Sequence, residues 1–356
     1  VHHHEAWQRA HDWISGIRRE LGIREAIVTD ELPILRNSEV GEHERCKQRW
    51  YWGYVEGRRS RRVPTALWLG QGIHLALAEY YKFKGTQRGP HPAETFADWA
   101  KGEKKNVYLR DEEDAAEKVD AVELGIIMLQ GYVEHWGSET WKHVLAREQT
   151  SRLTIPNPKT HKPIVTSVGT FDLVYKDLRY STPTNWLEEH KTTVDTTVSH
   201  LSLNPQASTY WLHASAVLDD LGLIPHGALL DGMMFNFLRK AKPDERAKDE
   251  KGRALNKDGS ISKVQPKPLF FRHPVPRTAA HRNETARRLA LQSWEIEQRR
   301  AGKLPIHKNA TKDCAWDCVF HGICELHEAG QDWEEVAKYE FTRGDPYEVY
   351  RKSTSE

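Results

Sequence analysis

Apolar residues recur along this chain with two different periods, and the change of period divides it. Between residues 64 and 84, Leu67, Ile73, Leu77 and Tyr80 fall near a 3.6-residue repeat, which predicts a helix with one apolar face. Residues 5–20 and 42–57 also read as helical, and 111–135 predicts a long helix whose acidic start suits a helix N-terminus. From about 143 to 191 the pattern shifts to three runs rich in Val, Ile, Thr and aromatics, broken by Pro/Asn/Lys and Asp/Arg/Ser/Pro turn signals, which predicts a strand meander. A helix at about 204–221, a strand-like run from Gly227 to Leu238 and a helix over 276–300 follow. Between the last two, the polar stretch 239–267 predicts a disordered or inserted loop. Helices, three strands, helix, strand, helix: that order predicts an α/β core with a helical N-terminal wrap.

Composition narrows this picture only a little. The 356 residues suffice for one large domain or two ordinary ones, and 38% hydrophobic residues with 13 Trp describe a packed globular chain. No apolar run approaches the roughly 20 residues of a membrane span, and the first residues lack the apolar stretch of a secretory signal. A cytoplasmic protein without a membrane partner is the expectation. A net charge of +1 means that any nucleic-acid-binding surface has to be local. Arg58, Arg59, Arg61 and Arg62 form one basic cluster and 239–267 another; each reads equally well as a solvated face or floppy loop.

The most informative string is Trp186-Leu187-Glu188-Glu189-His190-Lys191. In a strand, Glu189 and Lys191 share one face and Glu188 takes the other. Upstream, Gly169-Thr170-Phe171-Asp172 sets one acid in an otherwise apolar strand, where an unpaired carboxylate is costly. Two carboxylates on adjacent strands are the hard oxygen ligands that Mg²⁺ or Mn²⁺ prefers, and Lys191 beside them could orient the attacking water and offset charge on phosphorus. Glu189 and Lys191 alone would more often be a surface ion pair. His74, in Gly70-Gln71-Gly72-Ile73-His74, could add a nitrogen ligand that suits Mn²⁺ as well. Gln206 and Tyr210 stand four apart on the following helix, where an amide and a hydroxyl could meet a nucleic-acid backbone, or simply belong to an ordinary amphipathic helix.

Cysteines supply an independent signal. There are four: Cys46 alone, then Cys314, Cys318 and Cys324 close together. In a reducing compartment such a set is better explained by metal than by disulfides. Zinc sites gather cysteines in two close pairs, whereas one distant cysteine with a compact triplet points to an iron–sulfur cluster; zinc is the alternative. Either would join residue 46 to residue 324 around the strands and favours one domain over two.

Taken together, these residues resemble the RecB-type branch of the PD-(D/E)XK nucleases, specifically its iron–sulfur members, which include AddB-type recombination nucleases and small exonucleases of CRISPR adaptation and of phages. The resemblance covers about residues 41–326. Cys46 is similar to the family's lone first cysteine, His74 to its metal-binding histidine, Asp172 to its motif aspartate, and Glu189-His190-Lys191 to its acid-x-lysine signature. It implies that Asp172, Glu189, His74 and the His190 carbonyl bind metal, that Lys191 is catalytic, that Gln206 and Tyr210 hold DNA, and that Cys46, Cys314, Cys318 and Cys324 hold a [4Fe-4S] cluster. One departure stands out: three residues, Ala315-Trp316-Asp317, separate the second and third cysteines where the family usually has two.

The expected architecture is therefore a restriction-endonuclease-like core, a central mixed β-sheet flanked by helices. Residues 1–40 would form a helical extension, 41–326 the nuclease domain with 239–267 as a flexible basic insert, and 327–356 a tail. The implied activity is hydrolysis of DNA that leaves a 5′-phosphate, by an exonuclease acting on single strands or DNA ends in recombination, repair or phage DNA processing. The expected location is the cytoplasm of a bacterium or of a phage-infected cell. No Gly-x-x-x-x-Gly-Lys-Ser/Thr loop is present, so any helicase, like any recombinase, would be a separate partner. Two other classes compete: an inactive DNA-end or single-strand binding protein that keeps the cluster, and a zinc-stapled RNA-binding or scaffold protein. The intact Asp172, Glu189 and Lys191 argue against the first; the second ranks last, and metal analysis would separate it, since iron–sulfur clusters absorb visible light and zinc does not.

Overall fold

Two long strands, β3 (Lys142–Pro156) and β4 (Pro163–Asp177), pair antiparallel along nearly their whole length and carry the rest of the sheet. They belong to a computed structural model that describes residues 32–103 and 112–352; the helix expected over 5–20 lies outside those residues. The other edge of β4 is shared. Its last residues, Leu173–Asp177, pair antiparallel with β5 (Thr184–Thr193), and its earlier residues Thr166–Val168 pair parallel with β1 (Ile34–Arg36). Next come β6 (Gly232–Arg239), parallel to β5, and β7 (Phe270–Pro276), antiparallel to β6, which completes a mixed sheet of six strands. Residues 232–238 of β6 are all buried, as befits a central strand covered on both faces.

Helices provide those covers. On one face lie α3 (Thr65–Tyr80), α4 (Pro92–Glu103) and α5 (Glu112–Trp136), where Ile73, Leu77, Phe96, Leu129 and Tyr132 pack with Leu173, Tyr175 and Leu238 of the sheet. On the other, α6 (Pro205–Asp220) lays Trp211, Ala214 and Leu218 over Phe171, Val174, Leu187 and Phe235. Asn204 caps α6 by accepting the Ala207 N–H at 2.9 Å, and Pro205 occupies the first turn, where its missing N–H costs nothing. The α/β class and the flanked mixed sheet agree with expectation. No helix among the described residues is long and apolar enough to cross a membrane.

Several expectations need correction. Leu67 is 54% exposed, because the buried stripe of α3 runs through Leu69, Ile73, Ala76, Leu77 and Tyr80 and leaves position 67 on the far side. The single helix expected over 42–57 is broken at Cys46, whose extended backbone (φ −160°, ψ 120°) separates α1 (Asn37–Arg45) from α2 (Lys47–Trp50) and a π-helical turn at Tyr51–Val55. The strand-like run from Gly227 begins only at Gly232. Strand β7 went unpredicted because its sequence, Phe-Phe-Arg-His-Pro-Val-Pro, holds two prolines; at a sheet edge they are tolerated. The connection from β6 to β7 carries bridges of its own, Lys248 with Ala254 and Leu255 with Ile261, and buries Ala254 completely.

A C-terminal clamp joins the two ends of the described chain. After α7 (Ala279–Arg300) come α8 (Cys314–Asp317), α9 (His321–Glu328) and α10 (Trp333–Glu340), then β8 (Phe341–Arg343), which pairs antiparallel with β2 (Arg58–Ser60), and finally α11 (Glu348–Lys352). Buried Glu39 on α1 gathers four donors, the Trp50 indole at 2.8 Å, the Tyr347 hydroxyl at 2.8 Å, Arg300 at 2.5 Å and the Arg36 backbone N–H at 3.5 Å.

One buried charge cluster lies within the sheet. Lys142 donates to both oxygens of Glu188, at 2.9 and 3.1 Å, and lies 3.3 Å from Glu139, which is also bonded by Arg272 and by the Tyr81 hydroxyl at 2.6 Å. Burial would raise the Glu139 carboxyl, yet Lys142 and Arg272 override it and hold it at about 2. Being depressed below its ordinary 4.5, Glu139 stabilises the fold fully above that value and loses the contribution as pH falls toward 2. Acid unfolding followed by circular dichroism should therefore start at higher pH in Lys142→Met than in the native protein. In urea titrations, Ile73→Ala should cost about 2–5 kcal/mol and Leu67→Ala less than about 0.5 kcal/mol.

Candidate active site

Strands β4 and β5 part company at Leu173–Glu188, their last paired residues on this side, and the site opens at that fork. The next residue of β4 is Asp172. Its Oδ2 accepts the backbone N–H of His190 at 2.8 Å, so a carboxylate replaces the ladder bond that the diverging strands no longer make. Its Oδ1 lies 3.2 Å from His74 Nδ1 on α3. Burial would raise Asp172, but His74 and the His190 N–H together hold it well below the usual carboxylate range. Burial likewise would lower His74, and the Asp172 carboxylate reverses this, lifting the imidazole to about 9.

Beyond the fork β5 keeps its alternation. Glu188 and His190 point into the buried side, Glu188 to Lys142 and His190 to Asn236, which donates to its Nδ1 at 2.9 Å. Burial lowers the His190 imidazole to about 4, so this ring is neutral, and it packs edge-on to the His74 ring with centroids 6.0 Å apart. On the other face Lys191 donates to Glu189 Oε1 at 2.8 Å, while Glu189 Oε2 is buried with no hydrogen-bond partner among the described residues. Burial raises the Glu189 carboxyl, which Lys191 opposes and Asp172 reinforces; Glu189 in turn raises Lys191 against the effect of burial.

Gln206 and Tyr210 lie on α6, and the Tyr210 ring crosses β4 so closely at Gly169 that a Cβ there would stand 2.7 Å from it. Glycine at 169 is thereby explained. Burial, with Glu189 and Asp172 nearby, raises the Tyr210 phenol and keeps it a neutral donor. A cleft of about 840 Å³ adjoins the fork, lined by Leu67, Gln71, His74, Arg147, Glu148 and Lys240 among others. Arg147, Glu148 and Lys240 carry no motif and escaped sequence reasoning. For Glu148 the available signal was its place in the meander, one strand over from Asp172. Glu148 reaches solvent, yet desolvation by the surrounding cleft and the Asp172 carboxylate raise it to about 7 against the opposing charges of His74 and Arg147.

The arginine cluster lies elsewhere. Arg58 pairs with Glu56 at 2.5 Å and covers the Trp333 ring, Arg59 covers Tyr54, Arg61 donates to the Tyr339 carbonyl at 3.0 Å, and Arg62 bonds Asp114 at 2.6 Å. None of the four lines the cleft, and their observed contacts hold the C-terminal clamp and α5. The four cysteines do converge, around one cavity of about 420 Å³ shared with Arg45, Arg49 and Lys308. Backbone N–H groups of Asn309 and Thr311 each donate to sulfur at 3.4 Å, to Cys46 and Cys314 respectively. Among the described residues, however, no three His, Cys, Asp or Glu side chains stand ready as they are to hold a metal ion. At the fork Asp172 is engaged by His74 and Glu189 by Lys191.

A family model described as the PD-(D/E)XK nuclease superfamily matches residues 38–325. No curated protein matches the chain. Among solved structures, one from Eubacterium rectale described as a "Putative exonuclease" is similar at 11% identity and a TM-score of 0.42, over 79% of this chain and 86% of that one. At that score the likeness does not bear on this chain's activity.

The Asp172 pair sets the charge on His74. In metal-free protein, Asp172→Asn should lower the His74 titration from about 9, because burial then loses its largest opponent and only the Glu189 charge still raises the imidazole. Imidazole NMR across pH 4–10 (roughly the histidine range) reads this directly; an unmoved midpoint would contradict the pairing.

Proposed function

The chain belongs to the PD-(D/E)XK nuclease superfamily, and on that premise we propose that it is a divalent-metal-dependent deoxyribonuclease, an exonuclease acting on single strands or DNA ends. The observation that carries this reading is the assembly of Asp172, Glu189, Lys191 and His74 at one fork, with a buried carboxylate oxygen of Glu189 left unpartnered. That donor set fits Mg²⁺ or Mn²⁺: two carboxylates, one imidazole and, as the family pattern implies, the His190 carbonyl. When bound, such an ion supplies Lewis-acid activation of the phosphodiester and the attacking water.

The chain's own residues do the rest. Asp172 holds the His190 backbone at the fork and stays ionised. Lys191, kept cationic by Glu189, orients the attacking water and offsets the negative charge that grows on phosphorus. Gln206 and Tyr210 present an amide and a hydroxyl to the phosphate backbone. Arg147 and Lys240 put positive charge along the adjoining cleft, where a polyanion would run.

The proposal extends to the cysteines. Four sulfurs around one cavity, two of them accepting backbone N–H bonds, with Arg45, Arg49 and Lys308 nearby, fit an anionic iron–sulfur cluster that fastens α9 to the start of α2. Its role is structural. Cys324→Ala should lose the visible absorption of iron–sulfur and melt at lower temperature; a colourless native protein that contains zinc would replace the cluster by the zinc alternative.

The deciding experiment is cleavage of end-labelled single- and double-stranded DNA with Mn²⁺ or Mg²⁺, by anaerobically purified native protein and by Lys191→Ala. Metal-dependent shortening of the label, reduced about 10²–10⁴-fold in the variant, is expected. Native protein that binds DNA but cuts none of these substrates with either metal would make it a DNA-binding protein instead.

A further inference from the structure

The outer face of α3 is apolar where a surface helix usually carries polar residues. Leu67 is 54% exposed and Leu75 42%, and both line the cleft beside His74. A single exposed leucine needs no explanation. These two lie about 12 Å apart along the helix, on one face with Gln71, His74 and Ala78. They do not hold the fold together, since the stripe of α3 that packs on the sheet is the opposite one, through Leu69, Ile73 and Leu77. At Gly70, on the edge of the exposed face, α3 approaches β5 so closely that a Cβ would stand 3.2 Å from the Thr192 Oγ1. Thr192 follows Lys191, so the apolar face runs directly alongside the strand that carries the reactive pair.

Cations bracket this face. At its first end Lys240 donates to the Ala66 carbonyl at 3.2 Å and has no acidic partner among the described residues. At its other end Arg147 lies 3.8 Å from Glu79. Residues 66 and 79 are about 20 Å apart along α3, with His74 between them. The acids of the cleft, Glu79 and Glu148, both stand near Arg147, which leaves the charge of Lys240 unbalanced. A duplex would offer only phosphates and sugars to such a wall, because its base faces are stacked inside, and the leucines would gain nothing. A single strand exposes its base faces, which gain by covering apolar surface while the phosphates meet the cations.

We propose that the outer face of α3 is a base-contacting wall, on which Leu67 and Leu75 select DNA with unpaired, unstacked bases while Lys240 anchors its backbone. This rests on the deoxyribonuclease reading, and it picks single strands from the substrates which that reading allows. The strand lies along α3 for a few nucleotides, base faces on the two leucines and one phosphodiester beside His74. Leu67 and Leu75 touch bases and not the reacting atoms, so they set specificity. A duplex has to fray before its end can enter, and unpaired termini are therefore attacked first.

The test is fluorescence anisotropy with metal-free protein and three ligands of equal length: a single-stranded oligonucleotide, a strand of abasic sites and a blunt duplex. Native protein should bind the intact strand about tenfold more tightly than the abasic strand, and more tightly than the duplex. In the double variant Leu67→Ala with Leu75→Ala that preference should vanish through loss of intact-strand affinity alone, with abasic binding and melting temperature little changed. Leu67→Met with Leu75→Met should keep the preference, and Lys240→Ala should weaken intact and abasic strands alike. Native protein that binds no strand, binds intact and abasic strands equally or prefers the duplex overturns the proposal, as does an alanine double variant that loses both strands equally. Cleavage of DNA in Mn²⁺ by that same native protein would leave the nuclease reading intact. Base-dependent binding with no cleavage in Mn²⁺ or Mg²⁺ would support the wall and remove the catalytic reading.

Discussion

The hydrogen bond from the His190 N–H to the Asp172 carboxylate is the constraint on which the site depends. Where β4 and β5 diverge, each loses the other along that edge, and buried backbone groups left that way would be costly. A side-chain carboxylate closes one of those gaps at 2.8 Å, and doing so locks the acid in place and in its ionised form. Splaying the strands is what creates room for a substrate, and Asp172 makes the splay tolerable. An asparagine could accept the same bond but would carry no charge, so His74 would lose the partner that keeps it protonated.

Strand β5 faces two environments at once. Glu188 and His190 belong to a dry network with Lys142, Glu139, Arg272, Tyr132 and Asn236, whereas Glu189 and Lys191 lie on the opposite face and pair with each other. The buried side anchors the strand through charge pairs and hydrogen bonds that only one register can satisfy. A slip of one residue would drive Lys191 into the apolar interior and bring Glu188 to the fork. The same alternation therefore supports both the stability of the sheet and the orientation of the reactive pair.

At the other end of the molecule, the clamp returns the C-terminal segment to the first helices by three separate means. Strand β8 pairs with β2, Tyr347 bonds Glu39, and the cysteines meet around a common cavity next to the break at Cys46. That break is productive: the extended backbone at Cys46 interrupts helical continuity at the residue that faces the cavity. Arg58, Arg59 and Arg61 are spent around this joint and Arg62 on Asp114 of α5, which is why a basic cluster conspicuous in the sequence is absent from the cleft.

Much of this was legible from the residues in order. Period-two alternation in Trp186–Lys191 already separated Glu188 from Glu189 and Lys191, because strand geometry is local and leaves no choice of face. An acid within an apolar run marked Asp172 for the same reason: burial makes an unpaired charge costly wherever it sits. Spacing alone grouped the cysteines. What residue order could not supply were relations between distant segments. It did not place His74 against Asp172 or Tyr210 over Gly169, set the phase that exposes Leu67, or spend Arg58 and Arg62 on internal pairs. Nor could it bring Arg147 and Glu148 into the cleft beside His74, which follows from how β3 pairs on β4. Those outcomes depend on how helices and strands pack against one another, and packing is decided by the whole core at once.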